Sequence, residues 1–102
     1  MTQFDVYEYA GPNRSVAYLL DVQSNLLHDL ASHVVIPLVR LNEFDLPMKK
    51  LNPVISIDGV DHEMATSEIA GMPAKNLGRR VGNLEAHHHE IKSAVGFLLD
   101  GY

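Results

Sequence analysis

Hydrophobic and polar residues alternate along the N-terminal part of the chain in the manner of β-strands. The segment QFDVYEY (3–9) places Phe4 and Val6 on one side and Tyr7 and Tyr9 on the other, which is typical of a half-buried strand. The GPN sequence at 11–13 combines a glycine, which tolerates positive φ, with a proline of fixed φ, as turns require. The segment SVAYLLDVQS (15–24) follows, so the pattern predicts a β-hairpin.

The segment HVVIPLVR (33–40) is a nearly continuous apolar run and predicts another strand. Its proline has no N–H to donate, and prolines in strands are confined to edges and bulges. Because an apolar edge exposed to water would promote aggregation, we predict a homodimer in which a symmetry mate covers it. The predicted interface consists of Val34, Val35, Ile36, Pro37 and Leu38. The alternative is a central strand with a bulge at Pro37.

Four further segments complete the part of the chain before the last helix. NLLHDLASH (25–33) predicts either one helical turn or an irregular loop with its leucines tucked down. PVISIDGVDHEM (53–64) predicts a hairpin around an Asp-Gly turn at 58–59. TSEIAGMP (66–73) predicts a single short turn that Thr66 caps and that Gly71 and Pro73 end. AKNLGRRVGNL (74–84) predicts a short strand.

The C-terminal segment predicts one major helix. Asn83 is a good N-cap, and Glu85 suits the positive end of the helix dipole. A buried stripe at helical spacing follows, formed by Leu84, His87 or His88, Ile91, Ala94, Val95 and Leu98. Strands followed by one helix predict an α+β fold with a mainly antiparallel sheet, in a single domain spanning 1–102.

Composition narrows the classes of function. The chain of 102 residues is 46% hydrophobic, as globular domains are, and it has no cysteine, which fits a reducing compartment. Its formal charge of -5 disfavours direct binding to nucleic acid. The chain lacks a signal-peptide pattern and any apolar run near the ~20 residues that span a bilayer. We expect a cytoplasmic protein without a membrane segment.

The residue types that carry catalysis or bind metals form no familiar motif. The histidine run at 87–89 invites a metal site, since Glu85, His88 and His89 fall at i, i+3 and i+4. The HExxH arrangement is absent, however, and we interpret the run as a solvated helix face with one histidine partly packed. The other histidines are scattered, at His28, His33 and His62. With no GxSxG, P-loop or GxGxxG motif, we expect no catalytic residue, no metal and no cofactor.

The ordered segments resemble the CcdB toxins of plasmid-type toxin–antitoxin modules. QFDVYEY, LDVQSNLL, HVVIPLVR, NPVISIDG, MATSEIAGMP and EIKSAVGFLLDGY occur in the order and spacing of that family and cover essentially the whole chain. The most specific pieces are DVQS (21–24), VIPL (35–38) and the C-terminal helix. The resemblance implies a homodimer with an antiparallel sheet, a small second sheet or wing and a C-terminal helix, in the SH3-like barrel architecture shared with Kid.

The resemblance also implies a function in plasmid maintenance as a toxin. Members of the family poison DNA gyrase by wedging between the halves of its GyrA subunit dimer and trapping cleaved DNA. The C-terminal segment of the CcdA antitoxin neutralises them. At the matching positions, the implied gyrase contacts are Leu26, Leu27, Leu99, Asp100, Gly101 and Tyr102.

Two alternatives to gyrase poisoning stay open at this point. The typical toxin ends in Trp-Gly-Ile, whereas this chain ends in Asp100, Gly101 and Tyr102, with the tyrosine as a candidate substitute anchor. One alternative is therefore a dimer that binds antitoxin without poisoning gyrase, acting as an antitoxin sink. The other is an endoribonuclease of the MazF and Kid type. That activity needs a basic groove for RNA and an acid–base pair, which this acidic sequence does not indicate.

Overall fold

The computed structural model describes residues 2–41 and 48–101, which form one branched antiparallel sheet and a C-terminal helix. The strands are β1 (Asp5–Glu8), β2 (Val16–Asp21), β3 (Ser32–Arg40), β4 (Val54–Ile57), β5 (Val60–Met64), β6 (Ala70–Pro73) and β7 (Arg80–Asn83). They pair in the order β4-β5-β3-β2-β1-β7, and β6 also pairs with β3. Helix α1 spans His88–Asp100. The predicted fold class, a mostly antiparallel curled sheet with a C-terminal helix, is confirmed.

Both predicted hairpins are present. In the first, β1 pairs with β2 in a register that places Val6 opposite Leu20. In the second, β4 and β5 are joined by a two-residue turn in which Asp58 has a φ of 52° and Gly59 a φ of 78°. Positive φ at both central residues is what a tight hairpin of right-twisted strands requires, so local turn chemistry fixes this register.

Strand β3 is central, and the prediction that it is an edge is wrong. β2 pairs along one side of it, with Leu19 opposite Pro37. On the other side, residues 32–35 pair with β6 and residues 38–40 pair with β5. The Pro37 carbonyl accepts a bond from the Ala65 N–H at 2.9 Å on that same side, where the partner strand changes. In a strand, the N–H and C=O of one residue point to the same side. Pro37 therefore lacks its N–H at the point where the partner of β3 changes from β6 to β5.

This placement limits what β3 offers to a second subunit. Val35, Ile36 and Leu38 are buried within a single chain, whereas Pro37 is half-buried and Val34 is 37% exposed. Three of the five residues predicted for a dimer interface thus pack inside their own chain. The homodimer itself stays a prediction.

The core lies between the sheet and α1. It consists of Phe4, Val6, Leu20, Ile36, Leu38, Ile55, Met64, Leu84, Ile91 and Ala94. The helix contributes Ile91 and Ala94, three residues apart and so on one face, which confirms the centre of the predicted stripe. Within the described residues, no helix is long and apolar enough to span a membrane.

Two local predictions are corrected. The helix begins at His88, after a single 3-10 turn over Glu85–His87, although Asn83 Oδ1 does accept the Glu85 N–H at 2.8 Å. Thr66 is not a cap, because its buried hydroxyl donates to the Leu51 carbonyl instead. The residues after it do not simply end a turn. They form β6, because β3 presents an unpaired stretch of backbone to which they can bond.

Candidate partner-binding surface

The loop between β2 and β3 presents three large apolar side chains to solvent. Leu26 is 94% exposed, Leu27 50% and Leu30 55%. We call residues 24–31 the leucine loop. A single exposed leucine is ordinary, but three within five residues form an apolar patch of the kind that marks a binding surface.

Hydrogen bonds fix the backbone of the leucine loop. Residues Asn25–Leu27 form one 3-10 turn, in which Ser24 Oγ accepts from the Leu26 N–H at 3.2 Å. The Leu27 N–H donates to the Ser24 carbonyl at 2.9 Å, and the Leu30 N–H donates to the Leu27 carbonyl at 3.1 Å. The alternative of a helical turn is therefore confirmed, but its leucines point outward. A backbone that is ordered before binding lowers the entropic cost of association.

Two glutamines tie the leucine loop to the sheet. Gln23 Nε2 donates to the Leu27 carbonyl at 2.7 Å, and Gln23 Oε1 accepts from the Val34 N–H at 3.0 Å. The N–H of Gln3, which precedes β1, donates to Asn25 Oδ1 at 2.7 Å. Side chains of the DVQS segment thus form hydrogen bonds with backbone groups of the loop and of β3.

A buried pair of polar side chains lies between the leucine loop and the sheet. His33 Nδ1 is 2.7 Å from Asp21 Oδ2, and both side chains are at most 2% exposed. His33 Nε2 is 3.0 Å from the His28 carbonyl in the loop, and Asp21 Oδ1 accepts the Gln23 N–H at 3.0 Å. Sequence reasoning placed His33 among the scattered histidines. The signal available in the sequence was the two-residue period of a strand, because it places His33 on the same face of β3 as the apolar Val35, which is buried.

A second buried carboxylate lies near this pair. Asp5 Oδ1 accepts from Arg80 Nε at 2.8 Å and from Asn83 Nδ2 at 3.0 Å. Burial alone would raise the pKa of Asp5, but the bonds from Asn83 and Arg80 outweigh it and hold that pKa below its ordinary value. Burial, and then the charges of Asp5 and Asp21, raise the pKa of Tyr7 to about 12. The negative charges of Asp5 and Asp21 therefore both raise the pKa of Tyr7.

The residues before β1, the residue after β2 and α1 border a groove of about 140 Å³. Its lining residues are Gln3, Phe4, Val22, Ile91, Lys92 and Val95. Gln3 connects it to the loop, because its N–H bonds to Asn25 and its Nε2 donates to the Val22 carbonyl at 3.1 Å. On the helix, Val95 lies four residues before Leu99 and therefore on the same face. The groove is therefore linked to the leucine loop through Gln3 and shares a helix face with Leu99.

The C-terminal end of α1 is exposed at the positions predicted to contact a target. Leu99 is 74% exposed, and Asp100 is exposed as well. Gly101 ends the helix in a left-handed conformation with a φ of 78°, and its N–H donates to the Phe97 carbonyl at 2.8 Å. Tyr102 lies outside the described residues. The roles assigned to these side chains and to Leu26 and Leu27 stay predictions.

The histidine run lies at the start of α1. The rings of His88 and His89 stack with their centroids 4.6 Å apart, and His87 Nδ1 is 3.3 Å from a carboxylate oxygen of Glu90. Over residues 2–41 and 48–101, no group of three or more His, Cys, Asp or Glu side chains is arranged to hold a metal ion. The run interacts with itself and with neighbouring glutamates.

Comparison with known proteins gives a family and a shared fold. The family model described as CcdB protein matches residues 3–101. Among solved structures, an endoribonuclease in complex with its cognate antitoxin, from a mycobacterial species, is similar with a TM-score of 0.76. The two are 16% identical in sequence, and the match covers 97% of this chain and 94% of the other. At this identity the likeness concerns the fold.

Proposed function

Because the chain belongs to the CcdB family, we propose that it is the toxin of a toxin–antitoxin module and acts by binding rather than by catalysis. The family match spans residues 3–101, so the proposal rests on nearly the whole chain and not on one motif. The proposed target is DNA gyrase. A dimer of this protein would wedge between the halves of the GyrA dimer and trap the enzyme with its DNA cleaved.

The observation that carries the proposal is the exposure of the leucine loop on an ordered backbone. Leu26 and Leu27 are exposed although the loop backbone around them is hydrogen-bonded, so their exposure is not a consequence of disorder. Leu99 adds a further exposed apolar side chain at the end of α1. Removing such side chains from water is favourable, and only a partner that covers them can do so.

A CcdA-like antitoxin is the proposed neutralising partner. The similar endoribonuclease was solved with its cognate antitoxin, which supports antitoxin binding on this fold. The groove between the end of β2 and α1 combines apolar Val22 and Val95 with the cationic Lys92. This lining suits an amphipathic segment that carries acidic residues.

The proposal includes a homodimer, with Val34 as an exposed apolar side chain of β3. It is 37% exposed and lies opposite Gly71 of β6, where no side chain covers it from across the ladder. A second subunit that packs against the exposed part of this side chain would bury Val34. Sedimentation of the purified protein at micromolar concentration tests this part separately.

An antitoxin sink is the alternative, and Asp100 favours it. Its exposed carboxylate lies at the helix end where the typical toxin has an indole. Burying an unpaired carboxylate costs several kcal/mol, and about 4 kcal/mol corresponds to a thousandfold in affinity. A protein with this end would retain antitoxin binding and bind gyrase weakly.

Expression without antitoxin, followed by analysis of gyrase cleavage complexes, tests the proposal. Growth arrest with trapped, cleaved DNA supports gyrase poisoning, and harmless expression supports the sink. Decay of RNA without DNA damage would overturn both and favour an endoribonuclease. Purified Asp100→Trp and Tyr102→Ala variants then test the chain end, since the first should strengthen and the second weaken gyrase-dependent cleavage. If neither changes cleavage, the chain end is not the contact.

A further inference from the structure

Both ring nitrogens of His33 face hydrogen-bond acceptors. Nδ1 lies 2.7 Å from Oδ2 of Asp21, and Nε2 lies 3.0 Å from the carbonyl oxygen of His28. A carbonyl oxygen accepts and never donates, so Nε2 carries a proton. A proton also lies between Nδ1 and the carboxylate, and imidazole is the more basic of these two groups. Both contacts are therefore hydrogen bonds donated by His33 when the ring carries both protons, as an imidazolium.

The balance of charge in the buried cluster agrees with this protonation state. The cluster contains two carboxylates, on Asp5 and Asp21, and both act on the buried Tyr7. Arg80 pairs with Asp5. Among the described residues, His33 is the group that pairs with Asp21. A buried carboxylate without a partner cation is strongly unfavourable, so neutral His33 would leave Asp21 uncompensated.

The groups that face His33 come from each neighbouring element. Strand β2 contributes Asp21, and the leucine loop contributes the His28 carbonyl, while the His28 ring itself points toward the exposed Asp29. Strand β6 places the uncharged Met72 opposite His33. Protonation of His33 is thus coupled to one carboxylate and to one backbone carbonyl of the loop.

From this geometry, and resting on the proposed function, we propose that His33 is a positioning residue that holds the leucine loop in its binding conformation as a buried imidazolium. Its Nε2–H fixes the loop at His28, between the exposed Leu27 and Leu30. Loss of the proton removes one of its two hydrogen bonds and the charge opposite Asp21. The loop is then released at His28, and its leucines lose their ordered presentation.

Nitrogen-15 NMR of the histidine rings in the whole protein tests the protonation state directly. We expect both ring nitrogens of His33 to carry protons at neutral pH, and the signals of the exposed His89 serve as the internal comparison. A His33 ring with one bare nitrogen at neutral pH would overturn the proposal. This measurement needs no variant and no partner.

Backbone relaxation of the leucine loop tests the positioning role. When the pH is raised until the His33 ring signals show loss of a proton, the order parameters of the Leu27 and Leu30 amides should fall in parallel. In His33→Arg, whose guanidinium stays charged, they should not fall. His62→Gln is the matched control, because His62 is also buried but its Nδ1 bonds to the Val60 carbonyl, outside the loop. Loop order that does not follow His33 protonation contradicts the proposal.

Binding to purified GyrA over the same pH range connects the loop to function. We expect affinity to fall by roughly tenfold as His33 loses its proton, and by much less in His33→Arg. If the wild-type protein does not bind GyrA at any pH while the loop still follows His33, gyrase targeting fails and the positioning role stands. If binding is strong and independent of His33 protonation, the positioning role fails and the proposed function stands.

Discussion

Truncating Leu26 to alanine should separate binding from stability. Leu26 is 94% exposed, so Leu26→Ala removes almost no contact from the free protein and should change the free energy of unfolding by less than about 0.5 kcal/mol. If a partner covers the side chain completely, the lost burial amounts to about 1.5–3 kcal/mol. The dissociation constant for that partner should then rise by about tenfold to hundredfold.

The same substitution at Leu20 provides the matched control. Leu20 is fully buried in the core, opposite Val6 and Ile36. Leu20→Ala should therefore lower the free energy of unfolding by about 2–5 kcal/mol, because it removes contacts and leaves a cavity. Its folded fraction should bind the partner with normal affinity, since the leucine loop is unchanged.

Urea unfolding and calorimetric titration with GyrA or an antitoxin peptide measure the two quantities in the same preparations. Leu26→Ala should share the urea midpoint of the wild-type protein and bind more weakly. Undiminished binding to both partners would show that the leucine loop is not the recognition surface. A midpoint for Leu26→Ala as low as that of Leu20→Ala would show that Leu26 is packed in solution.

Three further outcomes are expected. Because the folded pKa of Asp5 lies below its unfolded value, its bonds to Arg80 and Asn83 stabilise the fold above about pH 4, and this contribution is lost at lower pH. The stability difference between the wild-type protein and Asp5→Asn, measured by urea unfolding, should therefore shrink from pH 7 toward pH 3, and a constant difference would contradict this. Gly101→Ala should lower stability by about 1 kcal/mol because of its φ of 78°, whereas Gly96→Ala, where an added Cβ meets nothing within 4 Å, should raise it by about the same amount. Sedimentation at micromolar concentration should show a dimer, and a stable monomer would remove the two-fold wedge from the proposal.

The parts of the fold that were predictable from the sequence are those fixed by neighbouring residues. Asp58 and Gly59 determine a two-residue turn by their own conformational preferences, so the second hairpin could be placed to the residue. The spacing of Ile91 and Ala94 likewise located the buried face of α1. In both cases, the residues that determine the structure lie within one helical turn of each other along the chain.

The errors come from contacts between distant parts of the chain. Pro37 was taken as a sign of an edge because its N–H is missing, but the strand has different partners before and after it. Thr66 was taken as a cap, although its hydroxyl bonds to Leu51, fifteen residues away. The pairing of Asp21 with His33 spans twelve residues and two strands. The exposed leucines were predicted as contacts, but the hydrogen bonds that order their loop could be identified only from the structure.

Strand β5 pairs with only the last three residues of β3, from Leu38 to Arg40. The β4–β5 hairpin can therefore detach as one cooperative unit while the remaining strands stay paired, an opening that costs less free energy than global unfolding. Detachment uncovers the buried side chains of Ile55 and Met64 and frees a backbone edge on β3. The hairpin of another molecule has the sequence to fill that edge, so opening of this ladder would allow two copies to exchange the segment.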